Sequence, residues 1–287
     1  MKTKVLLQSV LLGALSVPTA FAELPPNAAD RIAGICSARH GDVVMDGLAA
    51  FARNNGLTRD EMSAAMVEAV ERRDKRTRDP VRKMATSWLG TFGGTNALPA
   101  LRRMALDPED TCGWHAIGAY YQIAGRSPET LSWAEEFLLD PANDAGERRS
   151  QFLGVFRSAL GWDELPAAER AAVGRVLLRT TERTDDSPAW TDQVLCRAFP
   201  AYAGSAERRA RLEAALARLP PPAPTSERKG ALPDGTEFVR RDLTNALATA
   251  VATNAAPFEI PVPRSPPAPR VLPDEFVLPE IPQEWRE

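Results

Sequence analysis

A chain of 287 residues, 44% hydrophobic and 25% charged, carries enough apolar material for one large or two ordinary domains. Its formal net charge of −3 lacks the basic excess that nucleic-acid binding calls for, so that class of partner is not expected. Ala, Leu, Arg and Glu dominate and aromatics make up only 7%, a composition of helix formers with few strands.

The first 22 residues have the layout of a secretory signal peptide. Lys2 and Lys4 form a positive start, a mostly apolar run follows from Val5 to Val17, and Ala20-Phe21-Ala22 is a small-x-small cleavage pattern before Glu23. No Cys stands just after that point, so a lipid anchor is not expected. Without Lys2 and Lys4 the chain holds 33 basic and 38 acidic residues, a net charge of −5. No later stretch is apolar for about 18 residues, so no membrane span is expected. The predicted location is the periplasm or the cell exterior. There an oxidising environment permits one disulfide among Cys36, Cys112 and Cys196, with no pairing preferred.

Residues 23–219 read as a helical domain, with helix after helix from residue 27. Breaks at "NNGLT", "GGTN", "DPED", "GRSPE", "DPANDAG", "GWDELP" and "AGSAE" combine Gly, which tolerates a left-handed cap, with Asp, Ser and Thr, which cap free amides. Between breaks the apolar residues keep helical spacing: Val81, Met84, Ala85, Trp88, Leu89 and Phe92 share one face, and so do Phe152, Val155, Phe156, Ala159 and Leu160. Val194, Leu195, Ala198, Phe199 and Tyr202 form a third face, in a helix that Pro200 is expected to kink. The basic run Arg72, Arg73, Lys75, Arg76, Arg78, Arg82 and Lys83, interleaved with Asp74 and Asp79, reads as a solvated helix end and loop.

Aligning Gly94 with Gly125 superposes Met84 on His115, Leu89 on Tyr120 and Phe92 on Ile123. Asp-Pro pairs recur at 79, 107 and 140, and a second helix is predicted after each of three outer ones, over 97–106, 129–139 and 166–182. This is an irregular helix-pair repeat of about 30 to 45 residues. The segment "DPVRKMATSWLGTFGGTNALPALRRMALDP" resembles the HEAT-like repeats, especially the short type named after phycobilisome lyases. Asp79-Pro80, Val81-Arg82, Ala85, Leu89-Gly90, Gly93-Gly94 and Ala97-Leu98-Pro99 with Leu101 carry the likeness, which is partial as far as 161. The resemblance implies an all-α, irregular solenoid whose curved face binds other proteins, and it brings no catalytic residues with it. Arg148, standing where Val81 predicts an apolar residue, argues against a regular superhelix. A compact, non-repeating helical bundle is the alternative architecture.

Residues 220–287 hold 14 of the 25 prolines and form a Pro-rich, mostly extended tail with one helix near 237–253. The tail is too apolar for a mere linker, with Phe258, Ile260, Val262, Val271, Leu272, Phe276 and Trp285 among its residues. It is expected to lie along its own helices rather than on a partner.

Two Cys/His pairs could form a site. Cys112 and His115 lie one helical turn apart, and Cys36 and His40 four residues apart, spacings compatible with a metal centre or a thiolate–imidazole nucleophile. Both members of the first pair fall on the apolar stripe, where core packing is the preferred reading. His40 is expected near the C-terminal carbonyls of the first helix. Glu135 and Glu136 read as a helix face, and Asp185 and Asp186 as a helix start, rather than as carboxylates across a cleft. Trp88, Trp133, Trp162 and Trp190 are read mainly as packing; Trp114 lies beside its stripe and is the candidate for ligand or partner contact. No zinc-protease, nucleophile-elbow, phosphate-loop or dinucleotide motif occurs, and no cofactor or metal is expected. The expected function is non-enzymatic: a protein- or peptide-binding scaffold whose partner is another envelope protein or peptide. A carbohydrate- or small-ligand-binding module and an enzyme with an unrecognised site are the alternatives.

Overall fold

The computed structural model describes residues 24–72, 79–143, 147–162, 165–182, 188–221, 235–250, 258–260, 262 and 272. Residues 1–23, Arg73 to Arg78, Asp185, Asp186 and most of the Pro-rich tail lie outside them. The fold is all-α: α1 (Ala28–Cys36), α2 (Gly41–Asn54), α3 (Arg59–Glu71), α4 (Asp79–Phe92), α5 (Leu98–Leu106), α6 (Gly113–Ala124), α7 (Pro128–Leu139), α8 (Glu147–Trp162), α9 (Ala167–Thr181), α10 (Pro188–Ala198), α11 (Ala206–Arg218) and α12 (Gly235–Thr249). Among the described residues there is no strand, and no helix is long and apolar enough to cross a membrane.

Local chemistry sets the helix ends. Thr58 Oγ1 accepts from the Glu61 amide (3.3 Å) while the Glu61 carboxylate accepts from the Thr58 amide (2.8 Å), a reciprocal cap that opens α3. Ser127 and Ser205 cap α7 and α11 in the simpler way. Gly125 closes α6 at φ 73°, a left-handed backbone that a β-carbon would strain. Pro200 ends its helix rather than kinking it. Helix α10 stops at Ala198, and Pro200–Gly204 turns as a short 3₁₀ segment, because proline has no N–H and its ring clashes with the preceding turn.

The helices stack in order. Helix α4 packs on α6, α6 on α8, α8 on α10 and α10 on α12, one continuous row. Helix α5 packs on α6, α7 on α8 and α9, α9 on α10, and α11 on both α10 and α12. At the N-terminal end α1 packs on α2, α3 and α4. One apolar core runs from Ala28 to Ile260. Its centre is aromatic: Tyr121 stacks on Trp133 and meets Phe156 edge-on at 5.1 Å, while Phe152 meets Trp133 at 5.2 Å and stacks on Phe137 at 4.6 Å.

Two arginines depart from the sequence reading. Arg82, expected in a solvated run, is only 5% exposed. Its Nε donates to the Val70 carbonyl at the end of α3 (2.8 Å), and its Nη2 pairs with the buried Asp110 carboxylate (3.1 Å). Arg148, the anomaly in the apolar stripe, is also buried and donates to the carbonyls of Asp107 and Asp110 (2.7 Å for the latter). The device recurs: Arg59 donates to Thr91 O (2.6 Å), Arg149 to Leu138 O (3.0 Å) and Arg211 to Thr181 O (2.7 Å). Carbonyls in the last turn of a helix lack intrahelical partners, and a cation there also suits the helix dipole. Arginines thus join one helix end to the next.

The described tail residues touch the helical body. Ile260 is buried in the core beside Gly174, Phe258 meets the Tyr202 ring edge-on at 5.3 Å, and Leu272 is partly buried, whereas Val262 is exposed. Helix α12, predicted near 237–253, spans 235–249 and is the last member of the stacked row.

Candidate functional site

The Cys/His pairs are not brought together as a reactive centre. Cys112 is fully buried just before α6, its amide donating to Asp110 Oδ1 (2.8 Å). Burial raises its thiol above the ordinary value, against the opposing field of Arg82. His115 is half-buried, with Nδ1 in a 2.7 Å hydrogen bond with Ser87 Oγ, and that hydroxyl also lies 3.1 Å from the Lys83 carbonyl. Burial, with a smaller contribution from Lys83, lowers the His115 pKa and favours neutral imidazole. Cys36 ends α1, buried, its thiol pushed up to about 12 by burial. His40 is exposed at the N-cap of α2, and the Ser37 hydroxyl donates to the Gly34 carbonyl in the last turn of α1 (2.6 Å). Among the described residues no group of three or more His, Cys, Asp or Glu is placed to hold a metal ion. All three cysteines are free and buried.

The structure instead opens a groove of about 1110 Å³ across α6, α8, α10 and α12. Trp114, from the first turn of α6, is 42% exposed, in keeping with its position beside the apolar stripe. Its indole lies against Gly154 of α8, where a β-carbon would come within 2.3 Å of Trp114 Cζ3, so glycine is what lets the ring rest on that helix. Trp190 of α10 was read as packing, yet it is 41% exposed and lines the same groove. Phe238 of α12 adds a third exposed ring. Three large exposed side chains are thus gathered in one groove rather than scattered over the surface.

Polar groups order the walls. Gln193 Nε2 donates to Asp242 Oδ2 (2.7 Å), tying α10 to α12. Arg241 lies over the Phe238 ring (5.0 Å) and approaches Asp242 Oδ1 at 3.4 Å. Arg157 on α8 is half-buried, its Nε donating to Leu153 O (3.2 Å). No carboxylate pairs with it among the described residues, and burial alone lowers its pKa. Trp114 was visible in the sequence as an off-stripe aromatic. Arg157, Trp190, Phe238 and Arg241 were not, although Trp190 and Arg197, both exposed, share a helix face off the apolar stripe of α10.

No family model, curated protein or solved structure matches the chain. The fold and the groove therefore carry the functional argument without a relative.

Proposed function

We propose that this is an exported, non-enzymatic peptide-binding scaffold: an irregular solenoid of HEAT-like helix pairs that takes an extended segment of an envelope protein in the groove across α6, α8, α10 and α12. The observation that carries it is the exposure of Trp114 and Trp190 on one concave surface. Exposed indoles supply apolar contact at low conformational cost, and such rings are common anchors of protein and peptide contacts. The stacking of each even-numbered helix from α4 to α12 on the next supports the repeat reading, and stacked helix pairs present extended binding surfaces. The signal-like segment supports export.

The test places a photo-crosslinking residue at Trp114 in the full chain and exposes the protein to native envelope extract. Crosslinked peptide sequence from one protein, lost in a Trp190→Ala background that melts normally, supports the reading. Crosslinks confined to carbohydrate, or none at all, refute it.

A further inference from the structure

We infer that the groove selects acidic, extended peptides, with carboxylates at every third residue seated on arginines of successive helices. The inference rests on the peptide-binding reading and adds the ligand's chemistry and spacing.

The first argument is charge. Three arginines line the groove, Arg157, Arg197 and Arg241, against one carboxylate, Asp242. That carboxylate is already engaged by Gln193 and Arg241. A local positive excess stands out on a chain whose net charge is −3. Arg157 is the sharpest feature: a half-buried guanidinium whose one bond within the described residues is to a carbonyl of its own helix. Partial burial of a cation without a counter-charge is unfavourable, and an incoming carboxylate would relieve it through paired, charge-assisted hydrogen bonds.

The second argument is arrangement. On α8 the seat of the Trp114 ring, Gly154, precedes Arg157 by one turn. On α12 Phe238 precedes Arg241 by one turn. On α10 Trp190 precedes Arg197 by two turns, with Gln193 between on the same face. Each of three neighbouring helices therefore offers an aromatic surface followed by an arginine. Packed helices lie about 8–10 Å apart. A polyproline-like strand advances about 3.1 Å per residue and returns to the same side every third residue, which is about 9 Å. An extended peptide crossing the row would present one side chain of every three to each successive aromatic–arginine pair.

The experiment selects a phage-displayed library of random dodecapeptides on the immobilised full-length protein, then measures enriched peptides by fluorescence anisotropy. The expected result is enrichment of Asp or Glu at three-residue spacing, with affinity falling about tenfold or more for Arg157→Gln and only partly restored in Arg157→Lys, which keeps the charge but not the paired donors. Circular dichroism and the melting temperature would show both variants folded. Enriched peptides that are neutral or basic, or acidic peptides indifferent to Arg157→Gln, overturn the inference and leave the peptide-binding reading standing. No enrichment at all overturns both. A crosslink from position 114 to the chain's own residues 273–287, in place of added peptide, also overturns the assignment of the groove to a partner.

Discussion

Removing the carboxylate of Asp110 tests how the helical row is held together. Arg82 and Asp110 are both almost completely buried, and Asp110 Oδ1 also accepts the Cys112 amide that leads into α6. Asp110→Ala leaves a guanidinium in the interior whose remaining hydrogen bond in the core is to the Val70 carbonyl, and it orphans the buried Cys112 amide. Breaking a buried pair from one side costs about 3–5 kcal/mol, because the surviving charge stays desolvated. For a helical body of this size that corresponds to a fall in Tm of roughly 6–20 °C, at about 2–4 °C per kcal/mol. The double variant Arg82→Met/Asp110→Leu removes both charges, and it should regain most of that loss, since matched apolar replacement of a buried pair is often neutral. The exposed Arg72–Glu68 pair gives the contrast: Glu68→Ala should leave the melt almost unchanged, because water and salt screen that pair. Urea unfolding and calorimetry on the four proteins decide the matter. An Asp110→Ala loss below about 1 kcal/mol would refute the burial of this pair, and with it the packing of α4 against the turn before α6.

Three further outcomes are expected. Tyr202→Phe should destabilise by about 1–3 kcal/mol in urea melts, because the Tyr202 hydroxyl donates to the buried Asp192 carboxylate (2.6 Å), which Arg211 also holds at 3.0 Å; no change would mean that this network is hydrated. His115 has a folded pKa below its ordinary 6.5, so the unfolded chain takes up its proton first. Its contribution is therefore fully present above pH 6.5 and is lost as the pH falls from there through the lower folded value; His115→Gln should flatten that part of the stability–pH curve, and an unchanged curve would count against burial as the cause. Cys36 and Cys196, with thiols pushed up to about 12, should resist a thiol reagent in the native protein and react promptly in denaturant; fast labelling of the folded chain would show that they are not buried.

Much of the helical layout was legible because it rests on local rules. Helix α5 was expected over 97–106 and occupies 98–106, and α7 was expected over 129–139 and occupies 128–139, since apolar period, Gly stops and Ser or Pro starts act within a few residues. Cys112 was assigned to the core from its place on the stripe, and it is buried. Arg82 was misread for a physical reason. A basic residue in a basic run looks solvated until its acceptors are known, and these are Val70, twelve residues back, and Asp110, twenty-eight ahead. The same holds for Arg148, whose acceptors at Asp107 and Asp110 turn an apparent fault in the apolar pattern into a tie between helices.

The amino-acid order determined that this chain is helical, where its helices begin and end, and which face of each is apolar, because backbone hydrogen bonds and caps are satisfied within about four residues. The groove had no such local signature. Trp114, Arg157, Trp190 and Arg241 are far apart in the chain and meet only because α6, α8, α10 and α12 pack in sequence. Which outward faces adjoin is set by how side-chain ridges of one helix fit the grooves of the next, a long-range choice that only tertiary packing makes.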